Sequence, residues 1–487
     1  MVMILEELAM NNIHLLKFMD YLKNISKKII EMGKDDPIYI FSHIDADGLT
    51  AVSILIYLLT KLNKPFVVNF LPQIIPSEFQ STWDDIRPRY AIFVDLGTDV
   101  PNKILSRSSS IISGIIIDHH IFEASNPQNY SYIANSRIFG IDGGTEISSS
   151  GISFLLANSF STIVPRIRNL ISWSIIGALG DSQDIGPKRN LVGLNSILVE
   201  HAKRSNILKE TTDLLLIGRG IRPLYQLLAE TFVVDIPGVT GSYDGAADFL
   251  KKHGIIRSDD ELEKLYLDDL PANKKEFLKK KIIEMVMLHF AGKFTIENLD
   301  SLLTGTTYEF LNTKLRLLKY GRDVAVLLNA CGKMKKPHIG VQLLLEKEKT
   351  KILDTVISLY NRYRALISSS LKNFENNIRT EKNISIFDGR DFLHEELAST
   401  ISSILATKIE SQAVIVISRS VGDILKISVR KPKSSNIPSL GEIIKKIAEK
   451  LPSVTGGGHE NAAGAYVREQ EYDKFERLFI SFCGDYP

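Results

Sequence analysis

The chain has 487 residues, 44% hydrophobic and 24% charged, with 59 Lys plus Arg against 57 Asp plus Glu. That length holds about two or three domains with buried cores, and the formal net charge of +2 excludes a global positive field for nucleic acid or anionic lipid, so any polyanion contact is a local patch. Two cysteines, Cys331 and Cys483, exclude a disulfide scaffold and a cysteine-rich zinc module; Glu6 and Glu7 stand where a signal peptide is basic, and no apolar run nears the ~18 residues that span a membrane, which predicts a cytoplasmic protein with no membrane partner.

In chain order, Ile4, Leu8, Leu15, Phe18, Leu22, Ile25 and Ile29 recur at helical spacing and predict one or two amphipathic helices, closed by Pro37. An α/β rhythm follows, with strands over 38–41, 66–71, 91–94 and 115–117 and a helix over 49–62. Continuous apolar strands separated by helices predict a parallel sheet covered on both faces. Helices are expected at 150–160 and 166–179, and helix dominates from about 200 to 380, interrupted by Asp235-Ile236-Pro237-Gly238 and a charged stretch near 256–280. The C-terminal part returns to α/β character, with strands 413–418 and 424–430 flanking a Gly422-Asp423 hairpin turn. Boundaries near 205 and 380 divide the chain into 1–205, 206–380 and 381–487.

Three of these strands run directly into polar clusters: Phe41 into Ser42-His43-Ile44-Asp45-Ala46-Asp47-Gly48, Val94 into Asp95, and Ile117 into Asp118-His119-His120. Ligands bind in the crevice beyond the carboxyl ends of an open parallel sheet, so these side chains are expected to converge. Taken singly, each has an ordinary explanation. An Asp after a strand caps a helix or makes a turn, Asp45 or Asp47 serves to cap the helix near 49, and a His-His pair suits a surface turn. Their recurrence behind three buried strands is what chance does not explain. Gathered carboxylates repel, and one stays protonated at neutral pH unless cations lie between them. Asp oxygens with imidazole nitrogens and no thiolate suit Mn²⁺ or Mg²⁺ better than structural zinc, and four carboxylates balance two divalent ions.

These clusters, with Gly180-Asp181, resemble the four motifs of the DHH phosphoesterase superfamily. Gly456-Gly457-Gly458-His459-Glu460-Asn461-Ala462-Ala463-Gly464 is similar to the glycine-histidine motif of the DHH-associated C-terminal domain of RecJ-like nucleases and small-oligonucleotide phosphodiesterases. Gly140-Ile141-Asp142-Gly143-Gly144, Gly218-Arg219-Gly220-Ile221-Arg222-Pro223-Leu224, Asp235-Ile236-Pro237-Gly238 and Leu328-Asn329-Ala330-Cys331-Gly332-Lys333 resemble archaeal RecJ-like proteins, the GINS-associated nuclease type, so the likeness covers most of the chain. Asn135-Ser136 departs from the Asn-Pro of bacterial RecJ.

The resemblance implies an α/β fold: a parallel-sheet DHH catalytic domain over 1–205, a mainly helical middle region over 206–380 and a smaller α/β DHH-associated substrate-binding domain over 381–487. It implies a single-strand-specific exonuclease of DNA, or of RNA, serving replication or repair, with two Mn²⁺ ions (or Mg²⁺) and a replisome partner such as GINS. His43 and Asp45 are then expected to hold one ion, Asp47, His119 and Asp181 the other, with Asp95 bridging them. His120 is expected to donate to a non-bridging phosphate oxygen and Asp118 to orient the histidines. In Gly180-Asp181-Ser182-Gln183-Asp184, Asp181 is preferred because it directly follows an apolar helix, and Asp184 is expected as a solvated loop acid. Two other readings are weaker. An oligonucleotide or cyclic dinucleotide phosphodiesterase lacks the extra ~190 residues between the two signatures, and a non-catalytic replisome scaffold is disfavoured because every candidate ligand is present.

Glycines 456, 457 and 458 let backbone N–H groups approach a phosphate, with His459 as a further donor. Period-two alternation turns Leu425, Ile427 and Val429 one way and Lys426, Ser428 and Arg430 the other, where they are expected to track a phosphate backbone, extended by Lys431 and Lys433.

Overall fold

The computed structural model describes residues 12–74, 76–98, 113–121, 132–231, 233–290, 295–346, 350–372, 374, 376–432, 435–458 and 460–484. The chain divides into two compact units, Met1–Leu228 with Ala247–Tyr360, and Ala229–Ala246 with Asn361–Pro487. Most of the stretch expected as a separate middle region therefore belongs to the first unit.

The first unit begins with α1 (Ile13–Glu31), one helix whose Leu15, Phe18, Leu22, Ile25 and Ile29 are buried. Next come β1 (Ile38–His43), α2 (Ala46–Lys61), β2 (Phe66–Leu71), α3 (Pro76–Ile86), β3 (Tyr90–Val94), β4 (Ser113–Asp118) and β5 (Tyr132–Asn135). The five strands form a parallel sheet in the order β2-β1-β3-β4-β5. α2 starts three residues before the apolar pattern suggests, because Asp45 caps it by accepting from Gly48 N at 2.9 Å. Phe41, Phe93 and Ile116 pack one sheet face on Phe79 and Trp83 of α3. By alternation Ser42 faces the other way, and its hydroxyl donates to Gly48 O of α2 at 3.1 Å.

α4 (Ser149–Asn158) and α5 (Ile171–Gly180) pack on α2, and α6 (Gly193–Arg204) packs on α5. The region expected to be helical contains a two-stranded antiparallel sheet, β6 (Leu208–Leu214) with β7 (Thr304–Phe310). Its threonines explain the departure: β-branched residues favour the pleat, and the Thr211 and Thr307 hydroxyls pair across it at 2.8 Å. Around it lie α7 (Leu224–Ala229), α8 (Tyr243–Lys252), α9 (Ala272–His289) and α10 (Ile296–Leu303), followed by α11 (Gly321–Lys333), α12 (Pro337–Leu345) and α13 (Thr350–Lys372). α11 packs on α5 and α2, which is why it joins the first unit.

The second unit is built on a six-stranded sheet, β12-β13-β11-β10-β9-β8. Its strands are β8 (Ile378–Glu381), β9 (Ile384–Asp388), β10 (Ala413–Arg419), β11 (Ile424–Arg430), β12 (Thr455–Gly458) and β13 (Ala462–Arg468), with α14 (Ala398–Lys408), α15 (Leu440–Lys450) and α16 (Tyr472–Cys483). β10 and β11 form the expected antiparallel hairpin. Ile415, Leu425, Ile427 and Val429 make its core with Ile444, Ile447, Phe475 and Phe479. Among the described residues no helix is long and apolar enough to cross a membrane.

Candidate metal centre

The sheet order reverses between β1 and β3, and that switch point is where the acidic and histidine residues meet. His43 ends β1 and Asp95 directly follows β3; His43 Nδ1 lies 3.3 Å from Asp95 Oδ2 and 3.0 Å from Asp45 Oδ2. From the end of β4, His119 Nε2 lies 3.4 Å from Asp95 Oδ1 and 3.7 Å from Asp181 Oδ2. Two groups of donor atoms arise, each gathered within 4.8 Å: His43, Asp45 and Asp95, and Asp95, Asp118, His119 and His120. Asp95 belongs to both. It sits in the left-handed region at φ 61°, which Asp tolerates better than most residues.

The histidines are held from behind. His43 Nε2 lies 3.1 Å from Pro72 O, so the ring donates there and turns Nδ1 toward the carboxylates. His119 Nδ1 donates to Gly143 O at 2.5 Å and leaves Nε2 facing Asp95 and Asp181. Gln183 Nε2 donates to the same carbonyl at 2.8 Å and to Asp181 Oδ2 at 3.0 Å. Asp118 accepts from the backbone and hydroxyl of Thr98, from His119 N at 2.8 Å and from His120 Nδ1 at 2.6 Å. Asn135 Nδ2 donates to His120 O at 3.0 Å, so the Asn that precedes the departing Ser136 props the histidine pair.

Asp47 is buried and fastened by α4: Oδ2 accepts from Ser149 N at 2.8 Å and Oδ1 from Ser150 N at 3.0 Å, while Ser149 Oγ donates to Asp95 Oδ1 at 2.9 Å. The wall behind it is α5 backbone, where a Cβ on Gly177 would come within 2.0 Å of Ser150 Oγ and 2.4 Å of Asp47 Oδ1. Sequence reasoning missed Ser149; its signal was the Ser148-Ser149-Ser150 run before an apolar helix, a helix-start pattern whose amides face an anion.

Charge is unevenly spread. Burial opposes ionisation of Asp95, yet His119 and His43 hold it well below the usual carboxylate range. Burial, with Asp95 beside it, pushes Asp47 up to about 8. Burial also lifts Asp181 to about 6, against the pull of His119. Burial alone would lower His43 and His119; Asp45 beside the first and Asp181 beside the second raise them well above the usual histidine value. His120 is likewise raised by Asp118 against burial, and Asp118 falls to about 2 because His120 outweighs its burial.

This donor set fits divalent cations. Two ionised carboxylates within 4.8 Å of one another repel by at least about 3 kcal/mol at an effective dielectric of about 20, a cost that a proton or a divalent ion between them offsets. His43 Nδ1 is buried and makes no hydrogen bond although carboxylate oxygens surround it, as suits a ligand nitrogen. Oxygen and imidazole donors without thiolate match Mn²⁺ or Mg²⁺.

Several expectations need correction. Asp45 is not a cap alone: Oδ1 caps α2 while Oδ2 faces His43. Asp184 is not a solvated loop acid: it is buried, 2.5 Å from Arg322 and 3.1 Å from Arg189. Ser428 is not on an open face, because α14 covers that side of β11 and Ser402 Oγ lies 3.0 Å from Ser428 Oγ. Arg430 donates to Ser403 Oγ at 3.0 Å, and burial pushes its guanidinium down to about 10. Lys426 Nζ lies 4.0 Å over the Tyr466 ring. Lys431 is buried and bonded to Ile437 O and Glu460 Oε1 instead of extending a positive surface. Gly456, Gly457 and Gly458 lie exposed on β12, at the sheet edge. His459 and Lys433 lie outside the described residues.

Comparison with known proteins agrees with this architecture. Residues 37–172 match the DHH family N-terminal domain, 216–299 the DHH-CID domain and 384–485 the DHHA1 domain. The chain is 27% identical over 457 residues, 92% of its length and 93% of the relative's, to an uncharacterized protein of Methanocaldococcus jannaschii. Its fold is shared with RecJ of Thermus thermophilus in complex with Mn²⁺ (TM-score 0.58, 16% identity, 97% of this chain), although the chain spans only 55% of that protein. It is shared equally with CDC45 of Entamoeba histolytica (TM-score 0.62, 13% identity, 95% of this chain and 99% of that one). A parallel sheet carrying these motifs at its switch point, followed by a DHHA1 sheet, defines the DHH class of phosphoesterase fold. The chain belongs to the DHH superfamily, with RecJ-like architecture.

Proposed function

We propose that the protein is a divalent-metal-dependent phosphodiesterase that removes nucleotides from single-stranded DNA, or RNA, as an exonuclease of replication or repair. The observation that carries this reading is Asp95, one ionised carboxylate shared by two donor groups at the switch point of the sheet. His43, Asp45 and Asp95 are assigned to one ion, and Asp95, Asp47, His119 and Asp181 to the other. Two divalent ions, when bound, lower the proton affinity of an attacking water and offset charge on the leaving oxygen. The chain's own residues do the rest. Pro72 and Gly143 fix the two ligand rings, Ser149 holds Asp95 and Asp47 together, and His120, oriented by its hydrogen bond to Asp118, donates to a non-bridging phosphate oxygen.

In the second unit we assign Gly456, Gly457, Gly458, His459, Lys426 and Arg430 to holding the strand. Edge-strand amides without side chains at β12 and a desolvated guanidinium at Arg430 support that assignment. GINS-type replisome association is the corresponding proposal for partners. Because the fold is common to RecJ and CDC45, a non-catalytic scaffold is the competing reading; the convergence of carboxylates and imidazoles favours the enzyme. Digestion of end-labelled single-stranded DNA and RNA with Mn²⁺, Mg²⁺ or EDTA, beside a cyclic dinucleotide, tests this. Metal-dependent shortening from one end supports the proposal, cleavage of the dinucleotide alone replaces it with a small-substrate phosphodiesterase, and binding without cleavage favours the scaffold.

A further inference from the structure

Helix α11 lies outside the three matched segments, 37–172, 216–299 and 384–485, yet it reaches the metal centre at two points. Ala46 is fully buried between Asp45 and Asp47, and its N–H belongs to the first turn of α2, where no intrahelical acceptor exists. That N–H donates to Asn329 Oδ1 at 2.8 Å, across 283 positions of sequence. Three residues on, a Cβ at Gly332 would come within 1.9 Å of Ile44 O, so the bare backbone there lets the His43–Asp47 loop seat against the helix. Near the start of α11, Arg322 pairs with Asp184 at 2.5 Å and donates to Arg189 O at 2.9 Å, fixing the segment just after Asp181. Arg322, Asn329 and Gly332 are spaced by seven and three residues and share one helix face. One helix thus braces the first and the fourth ligand loops together.

We propose that Asn329 is a positioning residue of the metal centre, one that keeps the Asp45 carboxylate turned toward His43. This rests on the metal reading given above. Asp45 has two oxygens: Oδ1 caps Gly48 N, and Oδ2 faces His43 Nδ1. By taking the buried Ala46 N–H, Asn329 removes the donor that would otherwise compete for Oδ2. Without it, that amide is left to be satisfied by Asp45, and the carboxylate turns from the ion toward its own helix.

The test is Mn²⁺ binding, followed by electron paramagnetic resonance and calorimetry on the full chain, with thermal melting of the metal-free protein alongside. Asn329→Ala and Asn329→Ser, the latter too short to reach the amide, are expected to weaken Mn²⁺ binding about 10- to 100-fold, as loss of a group behind a ligand does, and more than they lower the melting temperature would account for. Asn329→Asp keeps an acceptor oxygen at the same place and is expected to restore wild-type affinity. Wild-type Mn²⁺ affinity in either folded Ala or Ser variant overturns the inference, as does equal weakening by Ala and Asp. A wild-type chain that binds no Mn²⁺ overturns the metal reading itself and this inference with it.

Discussion

Gly457 distinguishes a glycine run that holds a ligand from one that merely permits a tight strand pair. A Cβ at Gly456 would lie 2.3 Å from Gly464 O, and one at Gly458 would lie 2.3 Å from Ala462 O, so both glycines are required by the pairing of β12 with β13. At Gly457 a Cβ meets nothing within 4 Å, and its backbone is not left-handed. Nothing inside the protein therefore requires glycine there. Gly457→Ala is expected to stabilise the protein by about 0.4–1 kcal/mol by restricting the unfolded chain, or about 1–4 °C in melting temperature. Binding is expected to move the opposite way. A phosphate accepting from these amides approaches to about 2.9 Å, and a methyl on the open face obstructs it. Losing one such contact lowers the log-log salt slope for single strands by about 0.7, with affinity down at least about tenfold. Fluorescence anisotropy of a labelled single-stranded oligonucleotide in EDTA, across a salt series, reads both quantities without digestion. A variant with higher stability and unchanged affinity and slope refutes a phosphate site at β12; Gly456→Ala and Gly458→Ala, expected to be destabilised, serve as controls.

Asp95→Asn keeps a residue that accepts the left-handed backbone but removes the shared charge, so calorimetric Mn²⁺ binding and hydrolysis are expected to vanish together in a folded protein; activity near wild type would sink the two-ion assignment. His120→Ala is expected to lower turnover by ~10²–10³ with metal content nearly unchanged, and loss of a metal equivalent, measured by atomic emission, would show that its role is ligation. Burial lifts Asp323 to about 6, against the Gly220 and Gly218 amides that donate to it. Its folded-state value exceeds the unfolded one, so its contribution to stability is full below about pH 4 and is lost as pH rises through about 6, by about 3 kcal/mol in all. Asp323→Asn is expected to be less stable overall yet to lack that slope; urea titrations from pH 4 to 8 that give a constant difference between the two proteins contradict it.

What was legible in the sequence is what local pattern dictates. β1, β3 and β4 are continuous apolar runs, and the polar residues that end them meet because parallel strands put like ends together. The sheet order is set by crossovers, and no local signal marks it. Asp184 looked solvated because Arg322, one of its two arginine partners, lies 138 positions away and the nearby Arg189 reads as an ordinary loop charge, and the same distance effect hid Asn329. β6 was missed because Leu208-Lys209-Glu210-Thr211-Thr212-Asp213-Leu214 is mostly polar and only its threonines favour a strand. The polar side of β11 looked open because α14 carries Ser399, Ser402 and Ser403 where a covering helix ordinarily presents apolar residues; small hydroxyls close that gap with hydrogen bonds.

Asp47 is clasped by two amides on one side and by bare helix backbone at Gly177 on the other, and neither can swing away as a side chain would. The carboxylate is thus placed before any ion arrives. The conformational entropy of ordering it is therefore spent when the chain folds and not when the ion arrives. On the two-ion reading proposed above, an ion leaving such a site would find the same arrangement on return, and loading and unloading would proceed without rebuilding this side of the pocket.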